Sequence, residues 1–395
     1  MTAWNDPELE ALSATVRGFV RDRVLPHQRT WETEGQIPRE LSAEAGELGL
    51  LGAGYPSAVG GGGGGARATL AVSEAFHEAG GAGGVASALF TTGIALPHMI
   101  EAGNQQQIEK WVVPALEGRL IGSLGITEPS GGSDVGALCT TARREGSEWV
   151  LNGEKTFITS GTRADFVVTA ARTGGPGSQG ISLIVVPTVS PGFTVAKRLD
   201  KLGWRSSDTA ELVYDDVRVP AANLIGEENS GFKLISHAFV TERLILASQA
   251  YSTAQRCLDL TLRWVRDRET FGRPLITRQG VQNTLSLMAQ RIDVARVYTR
   301  DLAARWDRTV DETRENTPVP SGTLDMVAHA CFAKNQAVEC AEWAVSQSLQ
   351  LFGGMGYTTE TEIEMHYRDV RILAIGGGTT EILTSLAAKR LGMMG

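Results

Sequence analysis

The order in which hydrophobic periodicities succeed one another along the 395 residues constrains the fold most. Apolar residues recur at helical spacing through residues 1–122, short strand-like runs broken by turn residues follow through 123–230, and long helical patterns fill 231–395. Blocks of helix, strand and helix without regular βαβ alternation exclude a doubly wound parallel sheet and place the chain in the α+β class. A chain of this length exceeds what one hydrophobic core usually organises. Three domains are therefore expected: helical, β, and a helical bundle.

Local signals place the elements. Asp6 before Pro7 is a helix cap followed by a favoured first residue, and Leu9, Leu12, Val16, Phe19 and Val20 share a face until Pro26 ends the helix. Further helices are expected at 39–48, 68–79, 86–102 and 104–116. Strands are expected at 148–151, 166–171, 181–186 and 211–214, with Asn152-Gly153 as a two-residue hairpin turn. Helices at 232–267, 279–307, 324–351 and 380–391 complete the chain, and the polar stretch 309–322 reads as an exposed loop.

Composition removes several function classes. The formal net charge is -8, with both signs spread along the chain, so no basic face exists to neutralise phosphates and nucleic acid is not an expected partner. The cysteines, at 139, 257, 331 and 340, show no ligand-like spacing and read as free thiols of a reducing compartment. The histidines form no HExxH or similar pattern, so no metal is expected. Neither a charged leader with an apolar core nor a run of about 18 apolar residues occurs, which implies a soluble, cytoplasmic protein without a membrane partner. The glycines at 60–65 lack the Lys-Ser/Thr of a phosphate loop and read as a flexible surface loop. Gly52-Ala53-Gly54 has Ser57 where a dinucleotide fingerprint needs its third glycine.

One stretch carries chemistry. Ile126-Thr127-Glu128-Pro129-Ser130-Gly131-Gly132-Ser133-Asp134 resembles the signature of the acyl-CoA dehydrogenase family. The likeness continues, in the family's order, through 157–161, Arg268-Glu269-Thr270-Phe271-Gly272 with Gln279, 350–357, Tyr367-Arg368-Asp369 and Gly378-Thr379-Thr380-Glu381-Ile382. It implies an N-terminal helical domain, a middle β-barrel or β-sandwich and a C-terminal four-helix bundle, with FAD held in a cleft and no Rossmann domain.

By motif position, Leu124, Ile126, Thr127, Gly132 and Ser133, with Phe157, Ile158 and Thr159, would surround the isoalloxazine. Phe157 stands where the family usually has tryptophan. Arg268, Thr270, Phe271 and Gln279, together with Gln350, Gly353, Gly354, Thr379 and Glu381, would meet the ADP part, several of them from a neighbouring subunit. That implies at least a dimer, and the family is usually a homotetramer.

Most members carry a catalytic glutamate where this chain has Gly377, which has no proton-accepting side chain. Glu242 is the second candidate. Its helical neighbours are Ala238, Phe239, Ile245 and Leu246, so no cation on its own helix face can pair with it, and Arg243 points about 100° away. Burial of an unpaired carboxylate raises its pKa toward the range of a general base. Isovaleryl-CoA and long-chain members of the family carry their glutamate at the position of Glu242 and glycine at that of Gly377. In this variant the Gly377 backbone N–H still serves as an oxyanion donor.

Ser133, Arg243 and Gly378 match positions that contact acyl-CoA, and Gly376 replaces a usual tyrosine, implying room for a branched or bulky chain. The implied activity is α,β-dehydrogenation of an acyl-CoA or acyl-carrier thioester, with electrons passed to an electron-transferring flavoprotein. The alternative is a flavin-dependent oxidase or monooxygenase on the same fold.

Overall fold

The computed structural model describes residues 4, 6–314 and 324–393. Its first helix, α1 (Pro7–Phe19), opens as expected: the Asp6 carboxylate accepts from the Glu8 N–H at 2.9 Å and Pro7 takes the first position. The chain passes through a π-turn and Pro26 into α2 (Gln28–Glu34), a helix not anticipated from periodicity, closed by Gly35 at φ 80°. Then come α3 (Arg39–Glu47) and α4 (Gly65–Glu78). The single helix expected at 86–102 is broken into α5 (Gly83–Leu89), α6 (Thr92–Ala95) and α7 (Pro97–Ala102), because Pro97 cannot continue the preceding hydrogen-bond ladder. Short helices α8 (Gln105–Gln107) and α9 (Val113–Leu116) flank a second π-turn.

The 60–65 glycines are not a flexible loop. Their N–H groups donate in succession to the carbonyls of Ser57, Pro56, Gly52, Tyr55, Ala53 and Gly54, so the tract lies flat on the segment that precedes it. A Cβ on Gly61 would sit 2.2 Å from the Tyr55 carbonyl oxygen, and Gly60, Gly63 and Gly65 have positive φ. Backbone-to-backbone approach, not mobility, is what requires glycine here. The Asp307 carboxylate then caps α4 by accepting from the N–H groups of Ala66 and Arg67.

The middle region forms one eight-stranded sheet: β1 (Gly122–Gly125), β2 (Thr141–Glu145), β3 (Glu148–Thr159), β4 (Phe166–Arg172), β5 (Ile181–Pro187), β6 (Phe193–Arg198), β7 (Thr209–Pro220) and β8 (Leu224–Ile225). Its order is β6-β7-β3-β2-β4-β5-β8, with β1 parallel to β4. The sheet curls into a sandwich: Trp149, Leu151 and Leu212 from β3 and β7 share a core with Val167, Ala171 and Ile184 from β4 and β5. Thr169 of β4 is hydrogen-bonded to Tyr214 of β7 across it.

Asn152-Gly153 is not a hairpin turn. β3 runs through it, and the reversal between β2 and β3 lies at Gly146-Ser147. Asn152-Gly153 instead marks a β-bulge, where the Asn152 amide exchanges two hydrogen bonds with Asp216.

The C-terminal bundle consists of α10 (Gly231–Asp267), α11 (Gln279–Arg314), α12 (Met326–Phe352), α13 (Glu362–Val370) and α14 (Thr380–Arg390). α11 extends over the first residues of the stretch read as loop, and the remainder, 315–322, lies outside the described residues. α10 packs on α12, α11 and α4, so one long helix joins the bundle to the N-terminal helices. The β sandwich closes over its first turns through Phe166, Leu183 and Ile235. A cleft is left where the three regions meet.

Replacing Gly61 by valine is expected to lower thermal stability by an amount corresponding to about 2 kcal/mol or more. Gly175→Ala, in open space with ordinary φ, is expected to be near neutral. Paired thermal melts of the two variants check this.

Candidate functional site

The cleft encloses about 4100 Å³. One wall is the segment after β1. Here the Glu128 carboxylate of the signature is buried, accepting from the Cys139 N–H at 2.6 Å, the Thr140 N–H at 2.8 Å and the buried Lys155 Nζ at 2.8 Å. Burial alone would raise this carboxyl, but those donors together hold it down at about 2. The buried pair anchors the loop. The backbone N–H groups of Thr127, Gly132 and Ser133 donate to no acceptor among the described residues, and these residues line the cleft with Leu124 and Ile126.

A bulge in β3 between Lys155 and Ile158 supplies the adjoining wall. It turns Phe157 outward at φ 58°, leaving the ring 68% exposed, next to Ile158 and Thr159 on the cleft. Free N–H donors, hydroxyls and a presented aromatic ring fit the polar edge and flat face of an isoalloxazine.

Opposite stands α10. Glu242 lies on the cleft wall and keeps a partial exposure to that space, yet no hydrogen bond or ion pair with a described residue reaches its carboxylate. Desolvation pushes its pKa up. The fields of Arg243 and Lys334 oppose this without cancelling it, so the carboxylate is unpaired but not remote from cations as its helix neighbours alone implied.

The turn before α14 faces it. A Cβ built on Gly377 would lie 3.3 Å from Glu242 Oε1 and 2.5 Å from Leu246 Cδ1, and Gly377 has φ +66°. Both space and backbone therefore require glycine there. The Gly377 N–H donates to no acceptor among the described residues. A Cβ on Gly376 would find only the Ile372 carbonyl oxygen, at 3.6 Å.

Sequence reasoning missed the residue that holds this turn. Lys334 of α12 is fully buried, and its Nζ donates to the carbonyls of Gly376 and Gly378, each at 2.6 Å. Burial lowers its pKa to about 8, against the raising influence of Glu242. A signal was available: Lys334 interrupts the buried stripe Ala330, Ala333, Ala337, Ala341 of α12, where an unpartnered lysine would be costly.

Of the remaining expected site residues, Arg243 is buried on the cleft with its Nε unpartnered and its guanidinium over the Phe239 ring. Gly378 and Thr379 also line the cleft, and the Thr379 hydroxyl caps α14 by accepting from the Ile382 N–H. Arg268, Thr270, Gly353 and Gly354 do not reach the cleft; they line a separate cavity of about 480 Å³ with Trp264 and Met355. Phe271 is 97% exposed, and Gln279 and Gln350, near the ends of α11 and α12, line neither cavity. Glu381 is on the surface in the first turn of α14, where local hydrogen bonds lower its pKa. The expected cofactor residues thus divide between the cleft, the smaller cavity and, for Phe271, Gln279, Gln350 and Glu381, neither of the two.

The N-terminal, middle and C-terminal domains that define acyl-CoA dehydrogenases match residues 6–119, 123–217 and 229–392. The chain belongs to the acyl-CoA dehydrogenase family. A putative acyl-CoA dehydrogenase from Mycobacterium smegmatis superimposes with a TM-score of 0.95 at 59% identity over 100% of both chains. A probable acyl-CoA dehydrogenase from Bacillus subtilis, YngJ, is 35% identical over 97% of this chain and 98% of its own. A glutaryl-CoA dehydrogenase from M. smegmatis, solved in complex with FADH2, aligns with a TM-score of 0.87 at 28% identity over 98% of this chain and 95% of that one. The chain is accordingly an FAD-dependent oxidoreductase, of the α+β architecture read from its periodicities. Among the described residues no single helix is long and apolar enough to cross a membrane.

Two outcomes are expected. Because the folded-state pKa of Glu242 is raised, its favourable contribution is complete below the unfolded value and is lost as pH rises through the folded value. Glu242→Gln should therefore melt higher than the parent at neutral pH, with the gap closing below pH of about 4. Lys334→Met leaves two carbonyls without a donor and should lower the rate of flavin reduction more than FAD content; rapid kinetics beside flavin absorbance separates the two.

Proposed function

We propose that this chain oxidises an acyl-CoA or acyl-carrier thioester at its α,β carbons, with Glu242 taking the α-proton. The observation that carries the reading is the meeting of Glu242 Oε1 with the Cβ direction of Gly377, at 3.3 Å. A carboxylate anchored at either position would address the same point. Glu242 has the environment of a base, desolvated and unpaired, and the Gly377 N–H stands free to donate to the thioester carbonyl oxygen.

In this reading the α C–H bond breaks with its proton going to Glu242, while negative charge growing on the carbonyl oxygen is met by the Gly377 N–H. Lys334 orients that N–H by holding the carbonyls on either side. Thr127, Gly132, Ser133 and Phe157 would hold FAD, which when bound supplies the two-electron acceptor for the β-hydrogen. Leu246 and the apolar face of α10 keep water from the carboxylate. Open space at Gly376 supports a branched or bulky acyl group.

The separate cavity at Arg268 and Gly353 supports a second copy completing the cofactor site. The exposed apolar stripe Leu287, Val294 and Val297 on α11 supports the same assembly, taken as a homotetramer. An electron-transferring flavoprotein is the proposed acceptor and the cytoplasm the proposed location.

Anaerobic mixing with a panel of acyl-CoAs should bleach the flavin, with slow reoxidation in air. Rapid peroxide release or substrate hydroxylation would instead identify an oxidase or monooxygenase. Glu242→Gln should retain FAD and lose about 10²–10⁴-fold in reduction rate, and near-normal reduction in it would remove Glu242 from the mechanism. The rate in the parent should fall on the acid side with an apparent pKa above the ordinary glutamate value.

A further inference from the structure

The inner end of the cleft is not simply greasy. Beyond Glu242 on the same face of α10 come Leu246 and then Gln249, which is 7% exposed, lines the cleft, and makes no hydrogen bond with any described residue. Beside it stands Trp204, also on the cleft, whose indole Nε1 is buried without a hydrogen-bond partner. The two nitrogens lie close together: a Cβ built on Gly83 would be 2.6 Å from Trp204 Nε1 and 3.1 Å from Gln249 Nε2. Burying an indole N–H with nothing to bond costs on the order of 1–3 kcal/mol, and the Gln249 amide on the cleft wall is bonded to no described residue. Among the described residues nothing supplies a partner for either group.

Building on the acyl-thioester reading, we propose that this end of the cleft is a polar subsite for an acyl chain bearing an uncharged oxygen near its far end, a hydroxyl or a carbonyl, held by Trp204 Nε1 and the Gln249 amide. The indole can only donate, so the ligand atom must accept. Asp369 argues for a neutral group: its buried carboxylate accepts from the Trp204 backbone N–H at 2.6 Å and would oppose an anionic chain end. The seven residues from Glu242 to Gln249 advance about 10 Å along the helix, so the oxygen sits well beyond the β-carbon, at the reach of a medium-length chain. Gln249 and Trp204 are specificity-determining residues in this assignment and take no part in proton transfer.

The test uses the FAD-loaded enzyme and measures kcat/KM by anaerobic flavin bleaching. Straight acyl-CoAs from hexanoyl to dodecanoyl are compared with the same chains carrying a hydroxyl or oxo group at the terminal or penultimate carbon. At one chain length the oxygenated thioester should be favoured by about tenfold to a hundredfold, and Gln249→Leu and Trp204→Phe should each reduce that ratio at least severalfold. Bleaching by plain chains with no preference for oxygenated ones at any length overturns the subsite while leaving the acyl-thioester reading intact. Failure of every thioester to bleach the flavin overturns both. The ratio in the parent enzyme decides the matter even if a variant does not fold.

Discussion

A single buried ammonium fixes the turn on which the proposed chemistry depends. Lys334 binds the carbonyls of Gly376 and Gly378, and those two bonds hold the intervening Gly377 against α10, with its N–H free and its missing side chain aimed at Glu242. Without that clamp the turn would have three glycines in a row and two conformations of positive φ to restrain it, which is little. The core packing of α10 on α12 keeps Lys334 dry, which strengthens the clamp, while desolvation at the cleft wall raises the pKa of Glu242.

Glu242, on the cleft wall, is neither ion-paired with a described residue nor wholly unopposed. Arg243 and Lys334 stand near enough to favour its charged form, but Lys334 is spent on carbonyls and Arg243 lies over the Phe239 ring. The carboxylate remains available to a ligand while its proton affinity is set between the two influences. The contrast with Glu128 is instructive. That carboxylate is also buried, but three donors saturate it, and it serves as an anchor for the opposite wall. Burial does not raise a carboxylate's proton affinity where donors saturate it; burial without donors does.

Much of the architecture could be read locally. The Asp6 cap, the long helices of the bundle and the hydrophobic β runs depend on neighbours within a few residues, so periodicity and capping chemistry found them. Failures came where contacts outside the residue's own pattern decided the matter. Asn152-Gly153 has hairpin chemistry but is paired through to Asp216 on β7, and the 60–65 glycines look mobile until the carbonyls of residues 52–57 are seen to receive them. The helix at 86–102 read as continuous because its apolar spacing survives the breaks at α6 and α7. Lys334 escaped notice because a lone polar residue in an apolar stripe is ambiguous until its surroundings are known.

The sequence by itself determined the three-block α+β organisation, the family signature, and the fact that Glu242 lacks a cation on its own helix face, since each of these is a matter of residue type at short spacing. Only the tertiary structure decided that Glu242 meets Gly377, that Lys334 holds the turn between them, and that Arg268 and Gly353 stand apart from the cleft. Those relations join segments far apart in the chain. Their distances follow from how α10, α12 and the β sandwich pack, which no local pattern of side chains encodes.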